Sequence, residues 1–323
     1  MRTLEELRTF YDKTLVKDLS ALEQERRKRL RMVGIGLAAA VFILVVSLLI
    51  TVAMGLPPIA IFGLILAIIV FAVVSSIGSK DYVSSFKSTV IRPLVRFFDP
   101  ALRYSPSECV PQETFILSRM FDRKPDRYKG DDLVSGRAGA TEIAFSEVHA
   151  EYRTVSTSGK GRPREQWHTI FKGLLFIGDF NKHFHGATVV SPDIAQRLFG
   201  RLGQKLQGIT FFSDLKLVKL EDPQFEKLFV VHSNDQIEAR YILSTSLMER
   251  IVQFRNKTGK NISMSFVGSR VFVAIPHVRN LFEPKMFQSL LDFDTVSEYF
   301  QDINLAVGIV EDLNLNTRIW SKE

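Results

Sequence analysis

The sequence predicts an α+β protein: a two-span transmembrane helical hairpin followed by a cytoplasmic domain with a mainly antiparallel sheet and packed helices. Three observations lead there. Residues 32 to 79 contain no Asp, Glu, Lys, Arg or His in 48 positions. Residues 141 to 154 and 169 to 177 alternate with the period of a strand. Helix-period stretches separate these and later strand-like runs, so hairpins and helices share one region rather than forming a parallel βαβ array.

The uncharged block holds two runs, 32–54 and 59–77, each near the roughly 20 residues that cross a hydrocarbon core of about 30 Å. Between them stands Gly55-Leu56-Pro57-Pro58. Adjacent prolines remove two backbone donors and disfavour helix before them, which predicts a tight hairpin. A cleaved signal peptide fits poorly, because 31 residues precede the first run and the run exceeds a signal core in length.

Orientation follows from the flanks. Arg26, Arg27, Lys28, Arg29 and Arg31 precede the first span; Lys80, Lys87, Arg92, Arg96 and Arg103 follow the second, and the turn carries no charge. The positive-inside rule then places both termini in the cytoplasm. Of these cations, Arg26, Arg27, Lys28, Arg29, Arg31, Lys80, Lys87 and Arg92 are the expected contacts with anionic lipid headgroups, each worth about 1 kcal/mol near such a surface. Only Asp81 and Asp99 oppose the ten, which leaves 32 cations against 33 acids elsewhere out of totals of 42 and 35. The high isoelectric point is therefore a juxtamembrane effect, and no nucleic-acid partner is expected.

Residues 1–31 place Leu4, Leu7, Tyr11, Leu15, Leu19 and Leu22 at helical spacing. This cytoplasmic amphipathic helix would bind a partner or dock on the chain's own cytoplasmic domain. A juxtamembrane helix over 80–104, bent or ended near Pro93, precedes an α+β region over 105–323. Its expected strands are 141–154, 169–177, 187–190, 208–212 and 216–220, with a hairpin from 262–266 to 270–275. Its expected helices are 192–207, 236–242, 246–257, 284–290 and 295–313. The Gly, Pro and charge of 157–166 read as a hairpin tip, where Lys160, Arg162 and Arg164 are solvated rather than phosphate-binding.

Several motifs in order carry a family resemblance: SEVHAEYR (146–153), TIFKGLLFIGDFNKHFHG (169–186), LEDPQFEKLFVVHSNDQIEARYIL (220–243), VAIP (273–276), LFEP (281–284) and LNLNTRIW (313–320). From about residue 80 to its end the chain resembles domain-of-unknown-function family 3137. The resemblance implies a bacterial inner-membrane protein with a cytoplasmic domain, with a partner of LemA type as one expectation. It transfers no activity and no catalytic residue.

Chemistry-bearing residues are sparse. His183 and His185 stand two apart and would share a strand face, as a metal pair requires, yet three or four ligands must converge. Glu147, His149, Asp179, Asp235 and Glu238 are the acid–base candidates. Asp235 and Glu238 share a helix face, and the competing role for them is capping and first-turn stabilisation. A single Cys109 lacks a CxxC partner, and no Gly-x-Ser-x-Gly elbow occurs. The 26 Phe are chiefly a source of buried area. No cofactor is predicted.

Neither span contains an ionisable group, which argues against a transport path. Ser47, Thr51, Ser75 and Ser76 would be thin lining for a pore. Gly34 with Ala38, Gly63 with Ala67, and Ala72 with Ser76 allow close helix approach, either to a second copy in a homo-oligomer or within the hairpin itself. The reading that emerges is a membrane-anchored interaction or scaffold module binding a protein partner, from the membrane or envelope, or lipid headgroups. An enzyme with its acid and His residues gathered in one pocket is the alternative.

Overall fold

The structure is a computed structural model and describes residues 2–76, 79–156, 164–193 and 214–316. The chain divides into two units: Arg2–Pro93 with Phe282–Phe300, and Leu94–Leu281 with the residues from Gln301 onward.

The first unit is helical. Thr3 starts helix α1 (Leu4–Phe10) with a capping box: the Glu6 amide donates to Thr3 Oγ1 at 3.2 Å, and the Thr3 amide donates to Glu6 Oε2 at 2.9 Å. A π turn (Tyr11–Leu15) leads directly into α2 (Val16–Met54). Leu7, Tyr11, Leu15, Leu19 and Leu22 are buried, whereas Leu4 is half exposed. Their spacing of four, four, four and three drifts from an ideal 3.6 repeat, and the wider π turn keeps the row in register.

Helix α2 ends at Gly55, whose φ of +67° makes it a left-handed C-cap. Helix α3 (Pro58–Ser76) returns antiparallel as a hairpin. Both helices are long and apolar enough to cross a membrane. A Cβ on Gly63 would lie 2.2 Å from Ser47, so the helices meet at van der Waals contact there, and Gly36, Ala40 and Ala67 are buried nearby in the same unit. The small residues thus close the hairpin on itself, while Gly34, Ala38 and Ala72 face outward.

Helix α4 (Ser79–Phe86), a π turn (Lys87–Ile91) and α5 (Arg92–Phe98) follow. Pro93 was expected to bend or end this helix. The π turn absorbs it instead: the Arg92 amide bonds back to the Lys87 carbonyl, and the ring enters where the ladder is already re-spaced.

Against α1 and α2 lies the segment from Phe282, which opens helix α10 (Phe293–Asp312). Residues 284–290 were expected to be helical and are turns. Their backbone groups are taken by side chains of α2: Arg26 Nη1 donates to the Met286 carbonyl at 2.7 Å, and the Leu290 amide donates to Glu23 Oε2 at 3.1 Å. Phe86 meets Tyr299 edge-on at 5.2 Å, and Tyr299 Oη donates to the Glu283 carbonyl.

The second unit holds an antiparallel sheet of β1 (Arg103–Ser105), β2 (Arg127–Ala138), β3 (Thr141–Ser156), β4 (Arg164–Asp179), β5 (Ala187–Pro192), β6 (Lys216–Val218), β7 (Phe229–Ser233), β8 (Ser263–Val267) and β9 (Arg270–Pro276). Among the described residues the order is β1-β2-β3-β4-β9-β8-β5-β7-β6. The fold is α+β, as the sequence predicts.

β1 to β4 form a meander, and β9 adds to β4. One face buries Val148, Ala150, Phe171, Leu175, Phe272 and Ala274 against Phe115 of α6 (Gln112–Leu117) and Met120. Residues 173–178 of β4 are buried without interruption, as in a strand covered on both faces. Short helices α7 (Pro223–Leu228) and α8 (Gln236–Ile242) and the longer α9 (Thr245–Thr258) complete the connections.

β1, β2, β7, α6 and α7 were not expected. Gly130, Asp131, Asp132 and Gly136 hide the alternation of β2, which also carries a bulge between Asp131 and Val134. The expected elements at 192–207 and 208–212, most of the loop at 157–166, and the end of LNLNTRIW lie outside the described residues.

Candidate functional site

The meander brings together what the sequence holds apart. The register pairs Lys129 with His149 and His149 with Lys172, a row across three strands on the face opposite the apolar core. Two residues along, Asp131 pairs with Glu147. The row continues past β4, because the His277 amide donates to the Lys172 carbonyl at 3.1 Å. Gly173 permits that approach: its φ is +155°, and a Cβ there would stand 2.2 Å from the Ile275 carbonyl oxygen.

These residues line a shallow basin of about 370 Å³ with Gly130, Val148, Arg279 and Asn280. Lys260 reaches its rim from beyond α9, with Nζ 2.6 Å from His277 Nδ1 and 3.1 Å from Nε2. Burial first, and then the Lys260 and Arg279 cations, push the His277 pKa down to about 4, so its ring is neutral at pH 7. Burial likewise lowers the Lys260 pKa, against a smaller opposing effect of Asp302. Arg279 is forked on Asp302 at 3.0 and 3.1 Å.

Among acids, Asp131, Asp132 and Glu147 bring oxygens within 4.8 Å of one another. Asp132 accepts a short hydrogen bond from Tyr104 Oη, and Glu147 accepts one from the Leu281 amide. These bonds explain the trio as the fastening of the β2 bulge and of the chain after β9, and the trio by itself assigns no metal. The basin lining offers no Ser, Thr or Cys nucleophile. Cys109 is half-buried, and burial raises its thiol pKa, which opposes thiolate reactivity.

The other candidates gather elsewhere in the same unit, at the β4–β5 connection. Asp235 Oδ1 accepts from the amides of Ile237 and Glu238 and caps α8. The Glu238 carboxylate, 10% exposed, accepts from the amides of His185 and Gly186 at 3.0 and 2.8 Å. Asp179 accepts from the Asn181 amide. The His183 and His185 rings stand 6.3 Å apart and nearly perpendicular, and the His185 side chain is 87% exposed. Of the acid–base candidates, only Glu147 and His149 line the basin. Asp235 and Glu238 do the work of cap and loop brace.

Two of the expected headgroup contacts are corrected. Arg26 and Lys87 are buried, because each has a carboxylate partner: Arg26 is forked on Glu23, and Lys87 lies 3.1 Å from Glu283. Arg29 is half-buried, with its guanidinium 5.7 Å from the Tyr82 ring centre and a hydrogen bond to the Ser75 carbonyl. Arg27, Lys28, Arg31, Lys80 and Arg92 are exposed.

Sequence reading missed Lys129, Lys172, His277 and Arg279. Period-2 spacing places Lys129 on one face with Asp131, and only the cross-strand register joins them to His149 and Lys172.

Residues 169–315 match the family described as Protein of unknown function (DUF3137). The family resemblance, read from about residue 80 onward, is borne out over this stretch. The DUF3137 stretch begins in β4 and supplies Lys172, His277 and Arg279, while Lys129, Glu147 and His149 precede it. No curated protein matches the chain. The crystal structure of the mycobacterial trehalose monomycolate transport factor A, TtfA, aligns over 71% of this chain and 93% of its own at 10% identity. Its TM-score of 0.33 carries no argument about fold or function.

Proposed function

We propose that the chain is a membrane-anchored interaction module of the bacterial inner membrane. The α2–α3 hairpin spans the bilayer with both termini in the cytoplasm, and the sheet unit offers its charged basin to a protein partner. The observation that carries the reading is the outer surface of the hairpin. Ile35, Phe42, Leu49, Val52 and Phe62 are each more than 60% exposed, a continuous apolar surface that water does not tolerate and lipid does.

The basin supports the second half of the reading. Lys129 and Lys172 have no ion-pair partner among the described residues, and the lining carries Arg279 beside them. The lining also holds Asp131 and Glu147, and Arg279 is forked on Asp302, so the two lysines are the points that would take acidic side chains of a membrane or envelope protein, for which a LemA-type protein is the specific expectation. The enzyme alternative requires its acid and His residues in one pocket, and Asp179, His183, His185, Asp235 and Glu238 lie outside the basin lining, which weighs against it.

The test is a crosslinking pull-down of the full chain from native membranes, set beside the Lys129→Glu/Lys172→Glu variant. A defined partner recovered with the wild type and lost with the charge-reversed variant, while both remain membrane-bound, is the expected result. Equal recovery by both would remove the basin from the interface.

A further inference from the structure

The segment that packs on the base of the hairpin carries an almost fully exposed phenylalanine, Phe287, at 89% exposure. Its height relative to the spans follows from the partners of its neighbours. From Met286 onward the segment runs along α2 away from the first span: Met286 is held by Arg26, Leu290 by Glu23, Leu291 by Tyr11, and Phe293 by Tyr11 and Arg8. Before Met286 the chain comes from the other direction. Glu283 pairs with Lys87, five residues beyond Tyr82, and Tyr82 lies beside Arg29.

At 1.5 Å per residue, Lys87 is about 7.5 Å further from the spans than Tyr82, and Arg26 is about 4.5 Å further than Arg29. From Met286 onward the segment therefore descends, and Met286 and Phe287 stand at its end nearer the spans.

Arg26 precedes the first uncharged residue, Met32, by six positions, or about 9 Å of helix. The polar zone of a bilayer extends about 5–7 Å beyond the hydrocarbon on each side. The outer edge of that zone thus lies about 2–4 Å from the level of Arg26, within the length of a phenylalanine side chain turned toward the bilayer. Exposed Arg27, Lys28 and Arg31 stand at the same height on the other faces of α2, where they match anionic headgroups.

We propose that Phe287 inserts into the cytoplasmic headgroup zone of the bilayer, so that the tip formed by Met286 and Phe287 is a third membrane contact beside the two spans. The clamp of Glu23 and Arg26 on its backbone fixes its height. An aromatic ring at the height of exposed cations is the composition of an interfacial anchor. The proposal rests on the anchored reading above.

The test uses the full chain in vesicles of phosphatidylethanolamine and phosphatidylglycerol. In a Cys109→Ser background, nitroxide labels are placed singly through Phe287→Cys, Val52→Cys and Ile237→Cys. Val52 is 77% exposed on the first span, and Ile237 is 83% exposed in the sheet unit. Collision of each label with oxygen and with a water-soluble nickel chelate reports its depth. The expected ratio of oxygen to nickel collisions is highest at 52, lowest at 237, and several-fold above the 237 value at 287. A ratio at 287 equal to that at 237, with 52 in hydrocarbon, would overturn the insertion while leaving the anchor intact. A water-like ratio at 52 would overturn the anchor and the insertion together.

Discussion

Glu23 and Arg26 form a two-pronged ion pair one helical turn apart, at 2.7 and 2.8 Å, with side-chain exposures of 3% and 9%. Each also reaches the segment after residue 282, Arg26 through the Met286 carbonyl and Glu23 through the Leu290 amide. The pair therefore converts an amphipathic helix into a clamp.

Removing one member leaves a buried charge without its counter-charge. Glu23→Gln is expected to cost about 3–5 kcal/mol, because it leaves the buried Arg26 charge without its counter-charge. Thermal unfolding in mild detergent reads the cost. A change within about 0.5 kcal/mol of the wild type, the range of a surface substitution, would contradict the clamp.

The same pair sets an acid dependence. Hydrogen bonds from Arg26, outweighing burial, and then from Arg27 hold Glu23 at about 2, below its ordinary 4.5. The folded pKa is depressed, so this stability is present above about 4.5 and is lost as pH falls toward 2. Unfolding midpoints should decline through that window in the wild type and less steeply in Glu23→Gln.

His277 titrates in a different window. Its folded pKa near 4 lies below the ordinary 6.5, so the unfolded chain binds the proton first, and stability should fall as pH drops from about 6.5 to about 4. His277→Gln should remove that component of the decline. Lys260→Met should raise the folded pKa toward the unfolded value and so narrow the window and shrink the decline, because one of the cations opposing protonation is gone. An unchanged profile in His277→Gln would assign the decline to other groups.

Two glycines should respond differently to alanine. At Gly55 the φ is +67° and a Cβ meets nothing within 4 Å, so Gly55→Ala costs only the left-handed conformation, about 1 kcal/mol. At Gly173 the Cβ meets the backbone of β9, and separating the two strands should cost about 3 kcal/mol or more. A comparison of melting temperatures decides it, with the larger drop expected for Gly173→Ala.

The elements legible in the sequence are those whose pattern is local. The uncharged block, the Leu7-to-Leu22 row, the alternation of β3 and the continuous apolar run of β9 all state their structure within ten or twenty residues. β2 was hidden because its glycines and aspartates serve a bulge and a close approach rather than a buried face. The segment 284–290 was misread as helix because what satisfies its backbone, Glu23 and Arg26, lies some 260 residues earlier in the chain. The basin was half visible for a related reason. Glu147 and His149 announce themselves by type, whereas Lys129 and Lys172 become members only through cross-strand register.

The most direct test of the central claim is the topology of the hairpin. In a Cys109→Ser background, single cysteines replace Leu56 in the turn and Val155 on β3, both about half exposed. A membrane-impermeant maleimide is then applied to cells with a permeabilised outer membrane and an intact inner membrane. The account predicts labelling at 56 without lysis and at 155 only after it. Labelling of 155 in intact cells, or protection of 56 until lysis, would contradict a two-span anchor with a cytoplasmic sheet unit.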